Sequence, residues 1–204
     1  MNYTQIVDTA LSYSDREDLE VTSRIDLFMR IVESRMSNEL EVGGQALRAL
    51  INTVTDQVYY GLPADFSALR DIQVQALDGT EKETLSYLTP EQMNTVDSGS
   101  KLAGPYYTLV AGQLQIFPTQ KDKALEVIYY ARIPELTSTA TTNWVSELNP
   151  QSYIFGLLVE INAFVKDAGA TSIWEQRFMA ELKSIKQHDS RSRWSGTPLT
   201  VSRS

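Results

Sequence analysis

The chain has no cysteine and a single histidine. The first absence removes disulfides, thiolate metal ligands and thiol nucleophiles together. The second leaves His188 without the partners that a metal site or a catalytic triad requires, and in its polar run it reads as a solvated residue. No apolar stretch reaches the roughly 18 residues that a membrane span needs, so no membrane partner is expected. The first residues, MNYTQIVDTALSYSDREDL, lack the basic start and apolar centre of a secretory signal. No phosphate-binding loop is present, because Gly43-Gly44 is not followed by Lys and Ser/Thr. Positive charge is also short. There are 18 Lys and Arg against 26 Asp and Glu, a net charge of −8. A general nucleic-acid binder needs a basic face to displace counterions, so the charge argues against that class. An acidic wall that DNA slides past without sticking is compatible with the same charge.

What is present is an ordinary globular composition, 42% apolar and 22% charged over 204 residues. That length suits one domain, or one domain carrying an insertion, with room for a real core. Asp15, Glu17, Asp18 and Glu20 gather acidic groups at one place. A glycosidase-type pair, as in a muramidase, would need burial to raise one carboxyl. Nothing nearby supplies it, so a solvated loop or helix start is the expectation. No catalytic residue, metal or cofactor is expected.

Helical periodicity marks both ends of the chain. Ile6, Val7, Ala10 and Leu11 share a face. Ile25, Phe28, Met29, Val32, Met36 and Leu40 form a second stripe, with Thr22 or Ser23 as cap and with Arg24, Glu33 and Arg35 off it. Near the other end, Asn149-Pro150 opens a helix that is apolar nearly all round from Tyr153 to Val165. Ser172 and Glu175 form a capping box for a last helix carrying Trp174, Phe178, Leu182 and Ile185.

Between these ends the period shortens to two. LRDIQVQAL alternates Ile72, Val74 and Ala76 against polar residues, turns at Asp78-Gly79 and returns as ETLSYL. Thr89 and Pro90 start a short helical excursion. In GPYYTLVAGQLQIFPT, a loop at Ala111-Gly112 sets Leu109 opposite Leu114 and Tyr107 opposite Ile116. Ala-Gly is a poor two-residue loop beside Asn-Gly, which leaves a turn one residue longer open. ALEVIYYARIP is the most apolar strand. The adjacent pairs Tyr59-Tyr60, Tyr106-Tyr107 and Tyr129-Tyr130 each place one ring in and one out. The outward rings suit cross-strand packing, a subunit interface, or sugar and base stacking.

The expected fold class is therefore α+β: a helical bundle from N- and C-terminal helices, a β-rich insertion and an extended C-terminal arm. The segments are 1–44 and 136–187 for the bundle, 45–135 for the insertion and 188–204 for the arm. The arm carries three arginines against one aspartate, with Trp194 among them. A large indole in a polar run suits docking on a partner. Arg191, Arg193, Trp194, Leu199, Val201 and Arg203 are the candidate interface residues, and TPLTV (197–201) alternates well enough to add to a sheet edge.

The order of segments resembles the head-to-tail adaptor, or neck and connector, proteins of tailed bacteriophages. The matching positions are Leu62, Pro63, Asp65 and Phe66; Gly104, Tyr107 and Pro118; Tyr129, Tyr130, Pro134 and Leu136; Asn143, Trp144, Pro150 and Tyr153; and Trp174. They cover about residues 55 to 185. The resemblance implies a non-catalytic subunit of a ring, usually of twelve copies, placed under the portal protein in the virion neck. It would bridge the portal to a tail, nozzle or further neck protein while DNA passes through, after assembly in the host cytoplasm. The alternative is a glycan- or partner-binding tail accessory module that uses the tyrosine-rich β-region.

Overall fold

A computed structural model describes residues 1–16, 18–97 and 104–194. Among these are seven α-helices and eight strands, an α+β fold. They divide into two compact units, residues 1–45 with 132–194, and residues 46–131.

The first unit is helical. α1 (Tyr3–Ser14) opens on a capping box: Gln5 N–H donates to Asn2 Oδ1 at 2.9 Å, and Asn2 N–H donates to Gln5 Oε1 at 3.0 Å. A short α2 (Leu19–Thr22) is capped by the Asp18 carboxylate, which accepts from Val21 N–H. Neither Thr22 nor Ser23 caps α3 (Ile25–Glu39), contrary to expectation. Both end α2, with hydroxyls turned back to the Asp18 and Glu20 carbonyls, so Arg24 takes the cap position without a side-chain bond. All six residues of the expected α3 stripe are buried.

α5 (Trp144–Leu148), not anticipated from the sequence, is a single turn and a half held by an Asn143–Ser146 box. α6 (Pro150–Phe164) follows. Asn149, expected to cap it, makes no side-chain cap bond, because its backbone is already ending α5 on the Val145 carbonyl. The apolar all-round pattern of α6 is explained by burial on most of its faces.

α7 (Ala168–Trp194) starts earlier and ends later than expected. Asp167, not Ser172, caps it, accepting from Ala170 N–H at 2.9 Å, and Ser172 lies inside the helix. Residues 188–194, expected to be extended, are its last two turns. Extending an existing helix adds one hydrogen bond per residue without a new nucleus, so no apolar stripe is needed there. The turns are also tied down: Asp189 accepts from Gly43 N–H at 2.8 Å. Leu199, Val201 and Arg203 lie outside the described residues.

α1, α3, α6 and α7 bury one core around Tyr153, Leu157, Met29, Met36 and Phe178. α6 approaches α3 at Gly156, where a Cβ would sit 2.5 Å from a Val32 methyl and 3.2 Å from the Phe178 ring. Arg35 spans α3, α6 and α7 on one side. It makes two bonds to Glu175, at 2.6 and 2.8 Å, and one to Glu160 at 3.2 Å, with its guanidinium 4.9 Å above the Phe178 ring.

The second unit contains two four-stranded sheets. One has the order β1 (Ala46–Asn52), β8 (Lys123–Ala131), β3 (Phe66–Ala76), β4 (Lys82–Thr84), all antiparallel. The other has the order β2 (Tyr59–Gly61), β7 (Gln113–Phe117), β6 (Tyr106–Val110), β5 (Ser86–Tyr87). The central position of β8 accounts for its apolar sequence. Ile72, Val74, Leu125, Val127 and Tyr129 of the first sheet share a core with Tyr60, Leu114 and Ile116 of the second. The expected return strand ETLSYL divides at buried Leu85. Its first half pairs with β3, and its second half crosses to run parallel to β6.

The hairpin register is the expected one, Leu109 opposite Leu114 and Tyr107 opposite Ile116. Val110 pairs with Gln113, so the loop has two residues, with Ala111 and Gly112 at φ 50° and 75°. Both positive angles belong to a type I′ turn, which matches the strand twist even though alanine pays strain there. α4 (Pro90–Asp97) begins at Thr89 as expected, with Gln92 completing a capping box, and packs on β6.

Candidate interaction surfaces

The end of α7 carries Arg191, Arg193 and Trp194, three of the six interface residues proposed from the sequence. Arg191 is exposed there, and Arg193 and Trp194 complete the same helical turn. Beside them a groove of about 240 Å³ is lined by Val42, Gly44, Trp144, Leu148, Ile185 and His188. Leu148 projects into solvent at 73% exposure. His188 is exposed, on the groove wall.

The second unit offers a different surface. Among the described residues β1 forms one edge of its sheet, seven residues long and paired only to β8. Leu47 and Leu50 are exposed on it, followed by exposed Val54. An apolar edge of that length invites pairing or packing by another chain. The other edges, β2, β4 and β5, are three residues or fewer.

Two further sequence candidates meet plain structural roles. Asp15 ends α1 in a left-handed conformation and Asp18 caps α2, while Glu17 lies outside the described residues. The carboxylate of Asp18 is thus engaged with backbone. Of the tyrosine pairs, Tyr59 is exposed where Tyr60 is buried, as alternation requires. The exposed rings Tyr59 and Tyr87 stand on β2 and β5, at opposite edges of one sheet. Three strand spacings separate them, roughly 14 Å. They do not form the concave aromatic cluster that a glycan site needs.

Two buried carboxyls were not anticipated as such. Glu33, expected off the α3 stripe, is only 6% exposed. Its Oε1 accepts from Leu136 N–H at 2.6 Å and from Tyr153 Oη at 3.1 Å. Burial raises its pKa from 4.5 to about 7. The same burial, together with the Glu33 charge, pushes the Tyr153 phenol far above its ordinary value. Glu126 on β8 is equally buried but lies between Arg48 and Lys82, the latter at 2.7 Å. Hydrogen bonding from Lys82 and then Arg48 holds it below the usual carboxylate range. A signal for Glu33 was present: it follows Met29 by four residues and precedes Met36 by three, which places it on the buried stripe. Among the described residues no group of three or more acidic or histidine side chains gathers as a metal site, and no helix is long and apolar enough to cross a membrane.

A helical unit and a β unit, each with an exposed apolar surface, suit a protein that works by contact with other proteins. Residues 1–202 match the family model described as SU10 adaptor protein, and the chain belongs to that family, a phage head-tail adaptor family. It is a structural component of the phage virion that interacts with head and tail proteins. No curated protein matches the chain.

Proposed function

We propose that this chain is a neck-ring subunit that joins the portal to the tail, in twelve copies, and lines part of the DNA channel. The family match over residues 1–202 carries the reading. The net charge of −8 supports a channel past which DNA slides without binding. In this reading the subunit works without catalysis, metal or cofactor, after assembly in the host cytoplasm. The helices form a bundle as the ring body, and the β unit presents a surface to a neighbour, the tail or a nozzle. Arg191, Arg193, Trp194, Leu199, Val201 and Arg203 dock on the portal or an adjacent subunit. Trp194 is the apolar anchor, and the arginines pair with acidic groups across the interface.

Sedimentation of the purified chain with and without the portal of the same phage tests this. The chain alone runs at its monomer mass of 22.9 kDa, and with portal it co-sediments as a ring. Deleting residues 190–204, which keeps Asp189 and its bond to Gly43, abolishes co-sedimentation while leaving the fold intact. Undiminished binding by the truncated chain refutes the assigned interface, and no binding by the full chain refutes the portal as partner.

A further inference from the structure

We propose that Glu33 is a proton-operated clamp on the segment that leads from β8 into the helical unit. The chain enters that unit at Arg132 and runs without helix or strand as far as Asn143. Such a stretch has no ladder to satisfy its backbone N–H groups, so side chains must supply acceptors. α3 supplies two. Ser37 Oγ accepts from Ile133 N–H at 3.1 Å, and Glu33 Oε1 accepts from Leu136 N–H at 2.6 Å. The same Glu33 oxygen accepts from Tyr153 Oη of α6. Tyr153 Oη accepts in turn from Asn143 Nδ2 at 2.6 Å, and that amide also donates to the Pro134 carbonyl at 2.7 Å. One carboxyl thus holds the middle of the segment at Leu136 directly and its far end at Asn143 through Tyr153, while Ser37 holds its start.

The geometry suits the neutral acid. Both donors converge on Oε1, which leaves Oε2 to carry a proton. Among the described residues no Lys or Arg forms an ion pair with Glu33. The charged and titratable groups that act on it are Arg30 of α3, which favours ionisation, Glu135 of the segment, which opposes it, and the Tyr153 phenol of α6. A buried charge held by two neutral donors and no cation is costly. It is relieved when the carboxylate swings to water, and that movement releases Leu136 N–H and Tyr153 together.

The proton therefore governs how often the segment opens. With the carboxyl titrating at 4.5 in water and at about 7 in place, linkage makes the open state about 30-fold more populated at pH 8 than at pH 5.5. Amide hydrogen exchange of the full-length protein reads this directly at Leu136, after correction for intrinsic exchange rates. The expected result is a gain in opening of about 30-fold between those pH values in the wild type, and no pH dependence in Glu33→Gln, which keeps the acceptor and removes the titration. Equal protection of Leu136 at both pH values in the wild type overturns the proposal, as does the same pH dependence in Glu33→Gln. A carbon-13 titration of the Glu33 carboxyl in the wild-type protein decides independently of any variant: a midpoint near 7 supports the clamp, and one near 4.5 refutes it.

Discussion

Glu126 in the β unit and Glu33 in the helical unit have the same residual exposure, 6%, and opposite surroundings. Glu126 sits on a sheet face, where residues on neighbouring strands stand at fixed spacing. β1 brings Arg48 beside it, and Lys82 reaches over from β4. Strand register alone has delivered two cations to one carboxylate. Glu33 faces an irregular segment instead, and its partners are a backbone N–H and a phenol. A regular sheet satisfies its own backbone and leaves buried charge to be neutralised by neighbours. An irregular segment against helices needs a buried acceptor and does not bring a cation with it.

The sharpest way to separate the two units is a cavity in one core. All three tryptophans, Trp144, Trp174 and Trp194, belong to the helical unit, so their emission reports that unit. Phe178 is fully buried, and Phe178→Ala is expected to lower stability by about 3–5 kcal/mol. The loss should appear first as a red shift of tryptophan emission on denaturant titration. Sheet circular dichroism lost in the same early transition would show that the two units do not melt separately.

The two glutamates give opposite pH dependences. For Glu33 the folded chain binds the proton more tightly than the unfolded one, so its contribution is fully present below about pH 4.5 and is lost as pH rises to about 7. The total change is about 3 kcal/mol. Glu126, held below its usual range, contributes above the ordinary carboxylate pKa and loses that contribution as pH falls below it. Denaturant midpoints followed by tryptophan emission should therefore fall between pH 4.5 and 7 in the wild type and stay flat in Glu33→Gln. A rising midpoint over that window in the wild type would contradict the assignment.

Close helix approach distinguishes the units further. Gly156→Ala must move Val32 or α6 and should cost about 1–3 kcal/mol. Gly61→Ala in β2 meets no atom within 4 Å and should stay within about 0.5 kcal/mol. The smallest effect is a gain. Ala111→Asn in the hairpin loop relieves a left-handed alanine and should raise the β unit's thermal midpoint by an amount equivalent to about 0.5–1 kcal/mol. A lower midpoint would show that the loop is held by contacts other than its own turn.

Periodicity made much of this legible. The α3 stripe, the α6 burial and the hairpin register all follow from spacing, because in each case one face meets a core and the other does not. Legibility failed where the deciding contact is distant in sequence. α5 is short, and the Ser146 carbonyl of its capping box accepts from Met1 N, 145 residues away, at 2.6 Å. The last turns of α7 lack an apolar pattern, and their tether is Gly43, 146 residues away. Glu33 was read by residue type rather than by position, since nothing local announces that Leu136 and Tyr153 converge on it. The interface residues rest on composition and on the alternation of TPLTV, and the structure adds that positions 191, 193 and 194 lie on the last turn of α7.

Location in the virion tests the adaptor account most directly. Gold-labelled antibody against this chain, applied to intact and to tail-stripped particles and imaged by electron microscopy, should mark the junction of head and tail. The label should remain with the portal vertex when the tail is removed. Label confined to the distal tail or its fibres, or absent from particles altogether, would contradict the account.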